Sequence, residues 1–451
     1  MATDVDVVVL GLGPGGEYVA TELAEGGLTV VGVDEHLVGG ECPYYGCIPT
    51  KMMIRSANLL EESRRVNGLA GSSVTTPDWT PVAARIADEA TDHWDDKVAV
   101  DRLTAAGVRF VRGHGRLTGP GTVDVAGETF SARIGVVLNT GTEPGVPPVD
   151  GLVGTPYWTN RDAVQATEVP DSLVVIGGGT ISVELSQVFS RFGSDVTILE
   201  VAGRILAMEE PEAADLVATV FEREGIHVHT GVSISGVECD DGRFAVDLGQ
   251  EVLHADKLLV AAGRRAHLSD IGLDTVGLDP AAHSVDTDER MRAGEKLWAI
   301  GDITGKGAFT HMSMYQGGIA VRDILDRSGP QADYRAVPRV TFTDPEIGAV
   351  GLTEKQARDS GLTVRIGCTD VATSSRGWIH QAGNDGFIKL VEDADRGVLV
   401  GATSAGPVGG EVLSALSVAV HAEVPTETLR SMIYAYPTFH RAIESALDDL
   451  S

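Results

Sequence analysis

The first apolar run of the chain, Val5-Asp6-Val7-Val8-Val9-Leu10, predicts a buried strand. It passes into the glycine-rich Gly11-Leu12-Gly13-Pro14-Gly15-Gly16, then a helical stretch, then a second apolar run from Leu28 to Val33 closed by Asp34. This is the order of a dinucleotide-binding β-α-β unit. Its glycines let the backbone turn tightly and approach a ligand, the helix N-terminus faces a pyrophosphate, and the acid accepts a ribose hydroxyl. Gly11, Gly13, Gly16 and Asp34 are the candidate contacts.

The same pattern returns later. Ser172-Leu173-Val174-Val175-Ile176, Gly177-Gly178-Gly179-Thr180-Ile181-Ser182 and Val196-Thr197-Ile198-Leu199-Glu200 form a second unit, in which Gly177 to Glu200 repeats the spacing of Gly11 to Asp34. Two unrelated turns would rarely share that register. Gly177, Gly179 and Glu200 therefore join the candidates, and the chain is read as binding two dinucleotides, one a donor and the other an acceptor.

Elsewhere the pattern predicts a helix from Cys47 to about Val66 with apolar Met52, Met53, Leu59 and Leu60, and an acidic amphipathic helix over Pro81 to Ala106. Short alternating strands follow from Val108 to about Leu138. Pro330-Gln331-Ala332-Asp333 reads as a linker, and beyond Tyr334 strands mix with helices over Gly410 to Val420 and Thr426 to Ile433.

With 451 residues the chain is too long for one core and predicts about three domains. Hydrophobic content of 43% and 55 glycines suit an α/β protein with many tight turns. A membrane helix would need about twenty consecutive apolar residues, and no such run occurs. The first strand begins at Val5, which leaves no room for a secretory signal, so a cytoplasmic location is expected. A net charge of -30 argues against nucleic acid or an anionic membrane as partner. The acidic run Asp88 to Asp96 reads as a solvated helix face rather than a metal site, and no metal is expected.

Four cysteines are too few for a disulfide framework. Cys239 and Cys368 stand alone. Cys42 and Cys47 lie in Gly39-Gly40-Glu41-Cys42-Pro43-Tyr44-Tyr45-Gly46-Cys47-Ile48-Pro49-Thr50-Lys51, just past the first unit. Cys47 opens a predicted helix, where unpaired amides and the dipole stabilise a thiolate. Pro43 and Gly46 interrupt regular helix and allow the two sulfurs to meet. The pair is a redox couple beside a cofactor or, alternatively, two structural thiols.

Further motifs are Thr140-Gly141-Thr142-Glu143-Pro144, Ala261-Ala262-Gly263-Arg264, Ala299-Ile300-Gly301-Asp302 and Thr341-Phe342-Thr343-Asp344-Pro345-Glu346-Ile347. With these in order, the chain over nearly its whole length resembles the pyridine nucleotide-disulfide oxidoreductases, the flavoprotein family of dihydrolipoamide dehydrogenase, glutathione reductase and mercuric reductase. The resemblance implies an α/β fold with two Rossmann-like domains, for FAD and NAD(P), and a C-terminal α+β dimerisation domain. The implied divisions are 1–150 for FAD, 151–267 for NAD(P), 268–333 as a return segment completing the FAD site, and 334–451 for formation of a homodimer. It implies that hydride passes from the nicotinamide to the flavin, that Cys47 faces the flavin, and that Cys42 attacks the substrate. By the same resemblance Lys51 pairs with Glu184 and tunes the flavin, since a nearby cation stabilises the anionic reduced ring. Asp302 binds the FAD ribityl chain, against the alternative of a helix N-cap. Gly40, Thr140, Gly141, Gly263 and Gly301 complete the implied cofactor contacts. Glu200 favours NADH because it repels a 2'-phosphate, while nearby Arg204 keeps NADPH open.

The chain departs from its family at the C-terminal signature, usually His-x-His-Pro-Thr-x-x-Glu. Here Tyr434-Ala435-Tyr436-Pro437-Thr438-Phe439-His440-Arg441 puts Tyr436 in the place of the base and Arg441 in that of the acid. A phenol of pKa about 10 is ionised at roughly one part in a thousand at pH 7, a shortfall of about 4 kcal/mol for a step needing the free base. Three readings follow. Tyr434 and Tyr436 fill space as core or interface aromatics; the site serves acceptors that need less proton transfer; or His440, on a helix beginning at Pro437, faces the same side as Tyr436 and takes over. Smaller departures are Glu41 for a usual Thr, Thr180 for a Tyr and Ser182 for the third glycine. The expected function is an NAD(P)H-dependent FAD disulfide oxidoreductase, dihydrolipoamide dehydrogenase-like but without the His-Glu base, acting on a small-molecule disulfide or other acceptor. The alternatives are an NAD(P)H-dependent quinone or metal-ion reductase, or a flavoprotein sensor or scaffold subunit with little turnover.

Overall fold

The computed structural model describes residues 2–451. They form two compact units, the first comprising residues up to Pro49, Ala84–Gly145 and Arg264–Tyr334, the second Thr50–Ala83, Val146–Gly263 and Arg335–Ser451. The α/β class expected from the sequence is observed.

In the first unit the strand Thr3–Leu10 lies between Val30–Asp34 and Glu128–Leu138, parallel to both. Arg109–Arg112 extends one side and Leu297–Ala299 the other. Successive strand side chains point to opposite faces. Val7 and Val9 enter one core with Val19 and Leu23 of the helix Pro14–Glu25 and Ile319 of the helix Thr310–Ile324. Val8 and Leu10 enter another with Leu117, Val123 and Phe130. Burial on both faces is why this strand is a solid apolar run and does not alternate.

In the second unit, His227–Thr230, Asp195–Glu200, Ser172–Ile176 and Lys257–Val260 form a parallel sheet in that order. A separate five-stranded antiparallel sheet runs Pro338–Thr341, Glu346–Gly351, Val398–Gly406, Phe387–Asp393, Val364–Asp370. Val412, Leu413 and Leu416 of the helix Gly409–His421, with Ala446 and Leu447 of Ala442–Asp448, build its core with Ile388 and Leu390.

The continuous helix expected over Pro81 to Ala106 is broken. An α-turn at Thr80–Arg85 passes into a π-turn at Ile86–Ala90, and helix resumes only at Lys97–Ala105. Asp92, His93 and Trp94 between them have positive φ. Tertiary hydrogen bonds explain the break. The Trp94 indole donates to the Tyr44 carbonyl at 3.2 Å, and Asp96 accepts from the Val38 amide at 2.7 Å and from Arg112. Asp88, Glu89, Asp92 and Asp95 are exposed as the sequence predicted, but Asp96 is buried.

The predicted helix over Thr426 to Ile433 stops at Arg430, and none begins at Pro437. A single 3-10 turn at Phe439–Arg441 leads into Ala442–Asp448 instead. Among the described residues no helix is long and apolar enough to cross a membrane, and no group of three or more His, Cys, Asp or Glu is arranged to hold a metal.

Candidate functional site

The two glycine turns have matching hydrogen bonds. In the first unit the Gly11 amide donates to the Val33 carbonyl at 2.8 Å, and in the second the Gly177 amide donates to Leu199 at 2.8 Å. Gly11 and Gly177 both take positive φ, 86° and 106°, and a Cβ would fall 2.3 Å from the Asn139 carbonyl oxygen in one and 2.5 Å from that of Ala261 in the other. Only glycine fits such a turn. Asp34 accepts from the Leu12 amide at 2.6 Å and from His36 at 2.8 Å; Glu200 accepts from Gly178 at 2.5 Å and Ala202 at 2.7 Å. The acid at each strand end is thus held against its own turn by amides at equivalent positions. Burial pushes the Asp34 carboxyl above the usual carboxylate range, partly offset by its two amide bonds.

Gly13 caps the helix Pro14–Glu25, and Gly16 packs so closely that a Cβ would lie 1.9 Å from the Gly11 carbonyl oxygen. Gly179 is different: a Cβ there would meet nothing within 4 Å. The protein's own packing does not require that glycine, whereas a ligand lying across the helix N-terminus would. Gly179→Val is therefore expected to leave thermal unfolding unchanged while raising the KM for the nicotinamide nucleotide at least about tenfold, the loss of about 1.4 kcal/mol of binding.

Within the first unit Gly40, at φ 66°, leads into the short helix Glu41–Tyr44 that carries half-buried Cys42. Cys47 is exposed and opens the helix Cys47–Arg65; its sulfur lies 3.5 Å from the Thr310 hydroxyl. Thr140 and Gly141 follow the strand Glu128–Leu138 in a loop. Asp302 does not cap a helix. It accepts from the Thr142 hydroxyl at 2.7 Å, and that hydroxyl accepts from Arg264 Nε at 2.8 Å. Arg264 also lies 3.6 Å from Glu41, so the residue that replaces a threonine is tied to a guanidinium. The Gly301 amide donates to the buried Gln316 side chain at 2.7 Å, and Ser313 donates to Asn139 at 2.9 Å.

Within the second unit Lys51 Nζ donates to Glu184 Oε2 at 2.8 Å across 133 positions, and it sits 4.6 Å from the centroid of the Phe342 ring. Glu184 is only 3% exposed, and its other oxygen accepts from the Phe342 amide at 2.8 Å. Arg204 donates to the Ala207 and Glu209 carbonyls, both at 2.8 Å. Thr180 lies with its hydroxyl 3.2 Å from that of Thr341, and Gly263, with φ 106°, precedes Arg264.

The C-terminal signature departs from the expected arrangement. Tyr434 is buried and donates its hydroxyl to the Leu429 carbonyl at 3.0 Å, which makes it a core aromatic. Tyr436 is 69% exposed, with the Arg441 guanidinium 5.6 Å from its ring centroid. His440 lies on the 3-10 turn, 3.4 Å from the Thr438 hydroxyl and 6.3 Å from the Tyr434 ring. Without a helix at Pro437, the i, i+4 placement that was to bring Tyr436 and His440 to one face does not exist.

Sequence reasoning missed Thr310, Ser313, Gln316 and Arg191. The first three sit on a helix whose pattern reads as ordinary amphipathy, and only their distant partners distinguish them. Trp378 and His380 lie on the helix Ser375–His380, where Trp378 is exposed and His380 meets the Phe439 ring edge-on at 5.4 Å.

Residues 5–317 match the family model for pyridine nucleotide-disulphide oxidoreductases, and residues 337–447 match that for the family's dimerisation domain. The chain is 32% identical to a dihydrolipoyl dehydrogenase of Thermus scotoductus, over 99% of this chain and 97% of that protein. It is 29% identical to a mercuric reductase of Staphylococcus aureus, over 98% of this chain and 82% of the other. Among solved structures, the Cu(II) complex of the HOCl-induced flavoprotein disulfide reductase RclA from Escherichia coli superposes with a TM-score of 0.87 at 25% identity, covering 99% of each chain. The chain belongs to the pyridine nucleotide-disulphide oxidoreductase family, whose members are FAD-dependent enzymes.

Proposed function

We propose that this enzyme takes hydride from NADH and delivers the electron pair to a disulfide-type acceptor through Cys42 and Cys47. The observation that carries this reading is the duplicated glycine turn and acid in one chain, with a cysteine pair directly after the first copy, one member of which opens a helix. The residues fit FAD: Gly11, Gly13 and Gly16 leave bare backbone at a helix N-terminus, and Asp34 and Asp302 offer carboxylates for hydroxyl groups. Bound FAD supplies the two-electron carrier between nicotinamide and sulfur. Gly40, Thr140, Gly141 and Gly301 form the surrounding turns. Lys51, held by buried Glu184 and one helical turn beyond Cys47, presents its positive charge on the same helix face as that sulfur.

Two electrons and one proton open the Cys42–Cys47 bond to a thiol and a thiolate. Cys42 attacks the acceptor disulfide, the acceptor leaves as two thiols, and the internal bond closes again. The sum is NADH, one proton and a disulfide going to NAD⁺ and two thiols. With Tyr436 in the usual place of the imidazole base, acceptors whose leaving thiol is already acidic suit the site better than lipoamide. A homodimer formed through the C-terminal domain is part of this reading.

NADH is favoured over NADPH because Glu200, fixed at the strand end by two amides, repels a 2'-phosphate, while Arg204 Nη2 is engaged by two backbone carbonyls. Wild-type kcat/KM is expected to favour NADH by at least about tenfold, or about 1.4 kcal/mol. Glu200→Gln should narrow the gap, and Arg204→Ala should leave NADPH turnover unchanged.

Anaerobic titration with NADH tests the main reading. Uptake of two reducing equivalents beyond the flavin, with a long-wavelength thiolate-to-flavin absorbance, supports it. Flavin bleaching alone would favour direct transfer to quinones or metal ions, a second reading suggested by the likeness to mercuric reductase. No bleaching would favour a sensor or scaffold role.

A further inference from the structure

We propose that the Thr310 hydroxyl is the hydrogen-bond donor that holds Cys47 as a thiolate once the cysteine pair is reduced. This deepens the function proposed above and rests on it. Thr310 Oγ1 and Cys47 Sγ lie 3.5 Å apart although 263 positions separate them, and both belong to the first unit. Cys47 is the first residue of a 19-residue helix and Thr310 the first of a 15-residue helix. Two helix N-termini, each with the partial positive charge of its dipole, therefore meet at one sulfur.

The hydroxyl makes the contact selective for charge. A thiolate carries no proton and can only accept, so Thr310 must donate to it, and a hydrogen bond to an ionised acceptor is roughly twice as strong as a neutral one. When two electrons and one proton open the disulfide, the proton is thereby directed to Cys42 and the negative charge stays on Cys47. That division of labour suits the chemistry: the sulfur that exchanges electrons stays anionic, and the sulfur that attacks the acceptor is the one that titrates. The titratable groups nearest in sequence on these elements are Glu41, Cys42 and Tyr44 on the helix before Cys47, Lys51 and Arg55 on the Cys47 helix, and His311 beside Thr310. His311 stacks on Phe309 with ring centroids 5.1 Å apart and planes 7° from parallel.

The test compares wild type, Thr310→Val and Thr310→Ser as FAD-loaded enzyme, with flavin content measured in each. After anaerobic two-electron reduction, the pH midpoint of the long-wavelength absorbance should rise by about one unit in Thr310→Val and return to wild type in Thr310→Ser. In a Cys42→Ser background, which leaves Cys47 a lone thiol, iodoacetamide should alkylate Cys47 about tenfold more slowly at a pH below the wild-type midpoint when Thr310→Val is added. An unchanged midpoint and an unchanged alkylation rate in Thr310→Val would overturn the proposal. Should Thr310→Val bind FAD poorly, alkylation in Thr310→Ala gives the same decision without the flavin signal. Absence of the long-wavelength absorbance in the wild type would instead defeat the disulfide mechanism itself, leaving the alkylation comparison to judge Thr310.

Discussion

Cys42→Ser and Cys47→Ser are each expected to abolish NADH-driven reduction of a disulfide acceptor, by a factor of about a thousand or more, while FAD stays bound and is still bleached by NADH. The loss is large because a serine hydroxyl neither forms the internal sulfur bond nor ionises near neutral pH, so no alternative path carries the electrons. Flavin binding survives because the glycine turn, Asp34, and the Asp302–Thr142–Arg264 chain of hydrogen bonds do not involve either sulfur. The two variants are also distinguishable from one another. Cys42→Ser leaves Cys47 as a permanent thiol beside Thr310, so thiolate-to-flavin absorbance should be present before any reductant is added. Cys47→Ser removes that absorbance altogether. Steady-state assay with a disulfide acceptor, together with the spectrum of each oxidised variant, checks the prediction; equal disulfide turnover in either variant would refute the assigned path.

Arg191→Ala is expected to destabilise the second unit by about 3–5 kcal/mol, the cost of removing one member of a buried charge network. The Arg191 side chain is 1% exposed. It donates twice to Glu224, at 2.9 and 2.6 Å, once to Asp344 at 2.9 Å and once to Asn58 at 2.6 Å. Removing it leaves the poorly exposed Glu224 without its guanidinium, while Asp344 keeps Arg65 at 2.7 Å. Arg223 provides the comparison, since it too makes a two-pronged ion pair, with Asp385, but its side chain is 55% exposed. Solvent screening limits that pair, and Arg223→Ala should cost no more than about 1 kcal/mol. Denaturant melts of the two variants measure the contrast. Arg191 also ends the helix Thr180–Arg191, whose other end is the glycine turn at Gly177 to Gly179, so its loss should raise the KM for NADH as well.

What the sequence determined by itself is whatever a short stretch of backbone demands. Gly11 and Gly177 are glycines because a positive φ and a carbonyl oxygen within Cβ reach admit nothing else, and Asp34 and Glu200 fall at the one strand end from which a carboxylate reaches back to its own turn. Such constraints act over about two dozen residues and leave a readable spacing, which is why the duplication and the helix at Cys47 were visible at once. The tertiary structure decided what depends on distant partners. The helix expected through Asp92 to Trp94 gives way because Trp94 and Asp96 find hydrogen-bond partners at Tyr44, Val38 and Arg112, and intrinsic helix propensity, below about 1 kcal/mol per residue, is weaker than these tertiary contacts together. Tyr434 turns inward to Leu429, and the chain resumes helix only at Ala442, which separates His440 from the role that periodicity suggested. The Lys51–Glu184 pair, the Thr310 contact and the Arg191 network join residues more than a hundred positions apart. No local pattern encodes such pairs; each exists because the packed strands and helices of its own unit bring distant segments together.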